Sequence, residues 1–308
     1  MENHGHETPG HEAHGHVHST AHFTEADWAA MVGDTERYGE AFDEFTVGAI
    51  ASIAALRADG AAPVRPVVDI GSGPGVATTT FARAFPGARV TAVDASPAML
   101  ARAKERAAEH GVGDRVDTLL AELPGGLSGL APADVIWASA SLHHVGDEIA
   151  ALRAMRDLLS SSGLLVIAEL AAMSRSLPVD VDFADEGFAE RFDAAGKRWW
   201  ADMRAGLPGS TASRPLDEMV EAAGLSIVES RVATLRFDAP LTDAQQAIGL
   251  GELRRTRHQL SGYLKPRDLA VLDALADIDN PRYMLRRPDV HITQARHIVI
   301  ACRREGLS

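Results

Sequence analysis

The feature that most constrains the fold is an apolar run that ends in a cluster of glycines, Val67-Val68-Asp69-Ile70-Gly71-Ser72-Gly73-Pro74-Gly75. Glycines at the end of a buried strand mark a sharp turn into a helix. Without Cβ atoms, the backbone there can approach a ligand closely and take φ values that other residues resist. From Pro66 onward, short apolar runs alternate with helical stretches of 12 to 16 residues, the signature of repeated βαβ units around a parallel sheet. The pattern predicts strands at Val67 to Ile70, Val90 to Val93, Val116 to Leu119, Val135 to Ala138 and Leu164 to Leu170, then two long ones from Leu225 to about Phe237 and near Val290 to Cys302.

Punctuation fixes the helix after the second strand: Ser96 can cap it, Pro97 suits its first position, and Gly111 can turn left-handed just past its end. Apolar residues at helical spacing (Trp28, Met31, then Phe42, Phe45, Ala49, Ile53) predict two amphipathic helices ahead of the first strand, a helical segment over 23–63 that packs on the following domain. Phe188, Phe192, Ala195 and Trp199 form a stripe within an insertion near 172–207, which predicts a cap over the sheet edge. A helix from Pro215 to Ala223 is ended by Gly224. Two further helices, about Thr242 to Leu264 and Pro266 to Ala276, fill a second insertion near 240–285.

Composition narrows the partners. The formal charge of −13 repels phosphate backbones and anionic membranes, which disfavours nucleic acid as a partner. No apolar run is long enough to span a membrane and no signal-peptide pattern opens the chain, so a cytoplasmic location is expected. The one cysteine, Cys302, lies in a run that reads as a buried strand and is expected to be a core thiol. Residues 1 to 22 hold seven of the 13 histidines and almost no large apolar side chains. That composition predicts a disordered tail whose imidazoles have incidental metal affinity, and its irregular spacing specifies no metal site. Arg254, Arg255, Arg257 and His258, with Arg286 and Arg287, are either a solvated helix face or a surface for an acidic acceptor.

The glycine turn reads as G-x-G-x-G, because Val76 stands where a dinucleotide fingerprint needs its last glycine. Asp94 follows the second strand, 19 positions after Gly75. A carboxylate at a strand's C-terminal end can accept hydrogen bonds from both hydroxyls of a ribose; the alternative is a solvated turn residue. His143 and His144 follow the fourth strand, where a neutral imidazole can deprotonate a hydroxyl or amine, or simply pack the loop. Of the adjacent Trp199 and Trp200, one can line an acceptor pocket, or both can cover an apolar seam.

Across Val67 to Cys302 the chain resembles the class I S-adenosylmethionine-dependent methyltransferases of the small-molecule type. The resemblance is carried by Val67 to Gly75, by Val90 to Leu100, by Ala133-Asp134-Val135-Ile136-Trp137-Ala138-Ser139-Ala140-Ser141-Leu142-His143-His144, and by the helix leading to Ser162-Gly163-Leu164-Leu165. It implies a three-layer α/β fold with a seven-stranded, mostly parallel sheet whose last strand is antiparallel. It implies that S-adenosyl-L-methionine is the cofactor and a small molecule the methyl acceptor. Asp69, Gly71, Gly73 and Gly75 would face the methionine part, Asp94 would hold the ribose, Glu122 (where the family usually carries aspartate) would border the adenine, and Ala95 and Ala138 would complete the cofactor-binding set. Two other readings stay open: a nicotinamide-dependent oxidoreductase, and a non-enzymatic metal-binding or cofactor-sensing protein that works through its histidine-rich tail. The oligomeric state is left open.

Overall fold

The computed structural model describes residues 25–57, 62–171, 181–212 and 214–304; the expected histidine-rich tail lies outside them. Two helices come first, α1 (Glu25–Ala41) and α2 (Glu44–Leu56). The alternating region follows as β1 (Pro66–Ile70), α3 (Val76–Ala84), β2 (Arg89–Asp94), α4 (Pro97–Glu109), β3 (Val116–Leu120), β4 (Ala133–Ser139), α5 (Glu148–Leu158) and β5 (Leu159–Leu170). The last part holds α6 (Phe188–Ala205), α7 (Leu216–Ala222), β6 (Leu225–Asp238), α8 (Asp243–Gln259), α9 (Pro266–Ala276) and β7 (His291–Arg303).

All seven strands join one sheet in the order β3-β2-β1-β4-β5-β7-β6. β1 to β5 run parallel, and β7 is antiparallel to both of its neighbours, β5 and β6. The order reverses between β1 and β4, and in open α/β sheets that switch point, at the strands' C-terminal ends, is where ligands bind.

Apolar residues sort the helices onto two faces. Val67, Trp137, Val166, Ile298 and Ile300 pack with Phe45 and Ile53 of α2, Phe81 of α3 and Ile248 of α8. Val68, Ile136, Ile167 and Val299 pack with Leu152 and Met155 of α5 and Val220 of α7. Trp137 and Phe81 are both almost wholly buried and meet at 5.6 Å between ring centroids, an aromatic pair worth about 1 kcal/mol beyond the area it buries.

The local signals act as their chemistry requires. Ser96 caps α4 by accepting from the Met99 amide, with Pro97 at the first position, and Gly111 and Gly224 take positive φ after their helices. α8 opens with a reciprocal capping box between Thr242 and Gln245. It ends at Gln259 rather than near Leu264, because the chain turns at Leu260. Cys302 is half-buried rather than fully buried, since it sits one residue from the end of β7. Arg257 pairs with Asp273, and Arg287 with Asp289 and Asp182, so that basic group is partly neutralised on the surface. No described helix is long and apolar enough to cross a membrane, and no described cluster of His, Cys, Asp or Glu is arranged to hold a metal.

Candidate cofactor and acceptor site

The turn after β1 places glycine at three positions where a side chain would be strained. Gly71, Gly73 and Gly75 all have positive φ, at 64°, 53° and 82°. At Gly71 a Cβ would come within 2.3 Å of the Ser141 Cβ, and at Gly75 within 2.7 Å of the Ala103 Cβ. The first contact brings the β1 turn against the turn after β4; the second seats α3 against α4. Substituting either glycine would therefore push apart the elements that form the sheet edge.

Two carboxyls flank this turn. Asp69, on β1, is almost completely buried and accepts from the Thr78 hydroxyl at 2.5 Å. Burial raises its pKa to about 7 against the Thr78 hydrogen bond, with the nearby Asp94 charge adding to the rise. Asp94, at the end of β2, accepts from the Gly73 amide and the Ser96 amide, each at 2.9 Å. Burial also raises the Asp94 pKa, against these amide hydrogen bonds. Each carboxylate oxygen has a second lone pair, so Asp94 keeps acceptor capacity. Ala95 follows it toward α4, Ala138 is wholly buried in β4, and Glu122 is exposed in the loop after β3.

Helix α1 lies across this edge. The Glu25 carboxylate accepts from the Ser96 hydroxyl at 3.2 Å and the Ala98 amide at 3.0 Å. Farther along, Glu36 accepts from Arg102 and Arg106, and Glu40 from Arg106, at 2.7 to 2.8 Å.

The turn after β4 holds a second chemical group. His143 Nδ1 donates to Glu169 Oε2 at 2.7 Å, while Glu169 Oε1 accepts from the Ser141 and Leu142 amides at 2.9 and 2.8 Å. Burial pushes the Glu169 carboxyl up, but His143, the Leu142 amide and the Arg296 charge outweigh it and hold the pKa below the usual range. An ionised carboxylate cannot donate, so Nδ1 carries a proton, and in the neutral ring the lone pair is on Nε2. Trp200 of α6 covers His143, with ring centroids 5.2 Å apart, whereas Trp199 packs into the α2 face of the core. Arg204 of α6 donates to the His143 and Val145 carbonyls at 2.8 and 2.7 Å. Ala140, at the head of this turn, has φ of 48°, a strained conformation for a residue with a Cβ that is typical of ligand-binding turns.

His144 is exposed and meets Trp28 of α1 edge-on at 6.5 Å. Crowding by protein atoms and the neighbouring His143 draw its pKa down, to about 3; solvent reaching the ring moderates that drop, but its direction keeps the imidazole neutral at pH 7. A shallow apolar groove of about 260 Å³ between Ala54, Arg57, Phe85 and Pro86 lies at the opposite end of β1, away from this chemistry.

The structure thus brings Asp69, the three glycines, Asp94, Ala138 and His143 to one sheet edge and leaves Glu122 at its exposed margin. Glu169, Ser141, Ala140 and Trp200 join them. Trp200 was one of two adjacent candidates; Glu169 had no local signal, being a single acid at the end of an apolar run.

Comparison with known proteins agrees with this geometry. Residues 68–165 match a family described as a methyltransferase domain. A trans-aconitate 2-methyltransferase of Paracidovorax citrulli is 43% identical over 103 residues, 33% of this chain and only 37% of that protein. One from Rhodopseudomonas palustris strain BisA53 is 30% identical over 205 residues, 64% of this chain and 71% of that protein. Among solved structures, a Bacillus halodurans C-125 protein provisionally described as a methyltransferase shares the fold, with a TM-score of 0.50 at 14% identity over 82% of this chain and 97% of that one. Neither the nicotinamide nor the metal-binding reading gains support from these relatives. With a glycine turn, a distal acid and the strand order of one methyltransferase sheet, and a relative matched over most of its length, the chain belongs to the class I S-adenosylmethionine-dependent methyltransferases.

Proposed function

We propose that the protein transfers a methyl group from S-adenosylmethionine to an O, N or C atom of a small-molecule acceptor, in the cytoplasm. The observation that carries this reading is the shared edge: the glycine cradle, the carboxyl of Asp94 and the His143–Glu169 pair stand at the C-terminal ends of adjacent strands.

The residues fit the cofactor. The positive-φ glycines make a backbone cradle that Cβ atoms would fill, and a half-buried carboxylate with spare lone pairs stands at the next strand end. In this reading Gly71, Gly73 and Gly75 pass beneath the methionine part and Asp69 faces its ammonium. Asp94, with Ala95 beside it, receives the ribose hydroxyls, Glu122 borders the adenine, and Ala138 keeps the floor of the site low. When bound, the cofactor supplies a methyl group on a positively charged sulfur, which leaves with the bonding pair.

The chain's own part is alignment, exclusion of water and removal of one proton. His143 Nε2 takes the proton of an acceptor hydroxyl or amine. Glu169 holds the ring in the tautomer that leaves Nε2 free and balances the imidazolium that forms. Trp200 and the α6 backbone exclude water above it. For an acceptor with no proton to lose, alignment alone suffices.

Calorimetric titration with S-adenosylmethionine, S-adenosylhomocysteine and NADH tests the reading. The first two are expected to bind and NADH not to; NADH binding alone would overturn it.

A further inference from the structure

We propose that Arg296 and Gln294 of β7 form an anchoring subsite for a carboxylate-bearing acceptor, the guanidinium taking the carboxylate and the Gln294 carbonyl receiving a hydroxyl or N–H of the same molecule. This deepens the methyltransferase reading and rests on it.

Arg296 is 4% exposed. Its Nη1 is buried with no hydrogen-bond partner, and among the described residues no carboxylate forms an ion pair with it. Its neighbour of note is the Phe45 ring, 5.9 Å from the guanidinium carbon. A buried guanidinium with an unmade hydrogen bond and no carboxylate in contact is a liability for a fold, and an apolar side chain of similar volume would serve stability better. Two residues along the same face, Gln294 is fully buried; its amide nitrogen reaches Glu252 at 3.4 Å while its carbonyl oxygen has no partner. One strand face thus presents an unmet donor and an unmet acceptor, about 7 Å apart from the strand rise.

Their position connects them to the reaction. Arg296 pairs with Leu170 at the C-terminal end of β5, and β5 lies beside β4. Two strand spacings put Arg296 about 10 Å from the edge that leads to Ser141 and His143, a distance that a small acceptor bridges. Glu169 feels the Arg296 charge but makes no hydrogen bond to it: it registers with His297, on the other face of β7, and its hydrogen bonds come from His143, Ser141 and Leu142. A single planar guanidinium suits a carboxylate, whereas a phosphate dianion calls for more positive charge. The nearest second cation along β6, Arg231, is paired with Glu229.

The test is thermal unfolding of the full chain saturated with S-adenosylhomocysteine, at matched ionic strength. The probes are 4-hydroxybenzoate, its neutral methyl ester, trans-aconitate and inorganic phosphate. The wild type is expected to gain about 2 °C or more with at least one carboxylate and nothing with the ester. Arg296→Met should lose that gain while still binding S-adenosylhomocysteine, and Arg296→Lys should keep part of it. The proposal is overturned if neither carboxylate raises the wild-type melting temperature, if phosphate raises it equally, or if Arg296→Met, still binding S-adenosylhomocysteine, responds as the wild type does. A carboxylate-specific gain measured without S-adenosylhomocysteine, in a protein that fails to bind it, would keep the subsite and remove the methyltransferase reading.

Discussion

At Asp69 the fold works against its own site. Its pKa is raised to about 7 from near 4 in the unfolded chain, so between those values the folded state binds more protons. The associated stability is fully present below about pH 4 and is lost as pH rises through about 7. Asp69→Asn, which still accepts from Thr78, should match the wild type at pH 4.5 and be more stable at pH 8, by on the order of 1 to 3 kcal/mol, in urea unfolding. If the cofactor's ammonium docks there, the same variant should bind S-adenosylmethionine more weakly. Asp94→Ala should weaken that binding by on the order of 1.5 to 3 kcal/mol, the scale of hydrogen bonds to a charged group; unchanged calorimetric affinity would remove Asp94 from the site. Glu169→Gln is the sharper probe of the histidine. The Ser141 and Leu142 amides would claim the new carbonyl oxygen, turning the amide NH2 toward His143 Nδ1 and moving the ring proton to Nε2. For a proton-bearing acceptor, kcat is expected to fall by roughly 100-fold with KM little changed. Asp69, the glycines and Asp94 were legible in sequence because each belongs to a local strand-turn-helix pattern. Glu169 was not, because its partner is 26 residues away and only the pairing of β4 with β5 brings them together.

The elements read clearly where one signal dominated. Parallel strands buried on both faces show as near-continuous apolar runs, which is why each predicted strand lies within an observed one, give or take a residue. What holds α1 in place was not visible, because periodicity marks an apolar stripe and says nothing of polar contacts 66 to 70 residues away. Arg106 is the centre of that attachment. Its side chain is 8% exposed and bridges Glu36 and Glu40, and Arg102 braces the same Glu36. Arg106→Ala should cost about 2 to 4 kcal/mol, less than the upper range for a buried pair because Glu40 is half exposed. Denaturant unfolding measures this. Since Glu25, on the same helix, bonds to the N-terminal end of α4 beside Asp94, the variant should also bind S-adenosylmethionine more weakly, although it touches none of the predicted cofactor residues.

At the scale of the molecule, the question is where the folding unit begins. The glycine motif invites a boundary just before β1, whereas the contacts of α1 and α2 argue for an earlier one. Phe42 stacks on Phe45 and lies 5.5 Å from Phe237 of β6, so the junction of α1 and α2 reaches the far edge of the sheet. Gly39 comes so near Val76 that a Cβ would sit 3.0 Å from its Cγ2, which ties α1 to the helix that opens at the glycine turn. These contacts make two truncations behave differently. Removing residues 2–24 takes away the histidine-rich segment and none of the contacts described, so melting temperature should change by less than about 1 °C and S-adenosylhomocysteine affinity should hold. Removing residues 2–42 deletes Glu25, Glu36, Glu40 and Phe42 together and uncovers apolar surface on α2, α3 and β6. The melting temperature should then fall by roughly 5 °C or more, with affinity for S-adenosylhomocysteine lost in step. Loss of affinity already in the shorter truncation would mean that the histidine-rich segment takes part in binding, and would reopen the reading in which that segment, rather than the sheet edge, is the working part of the chain.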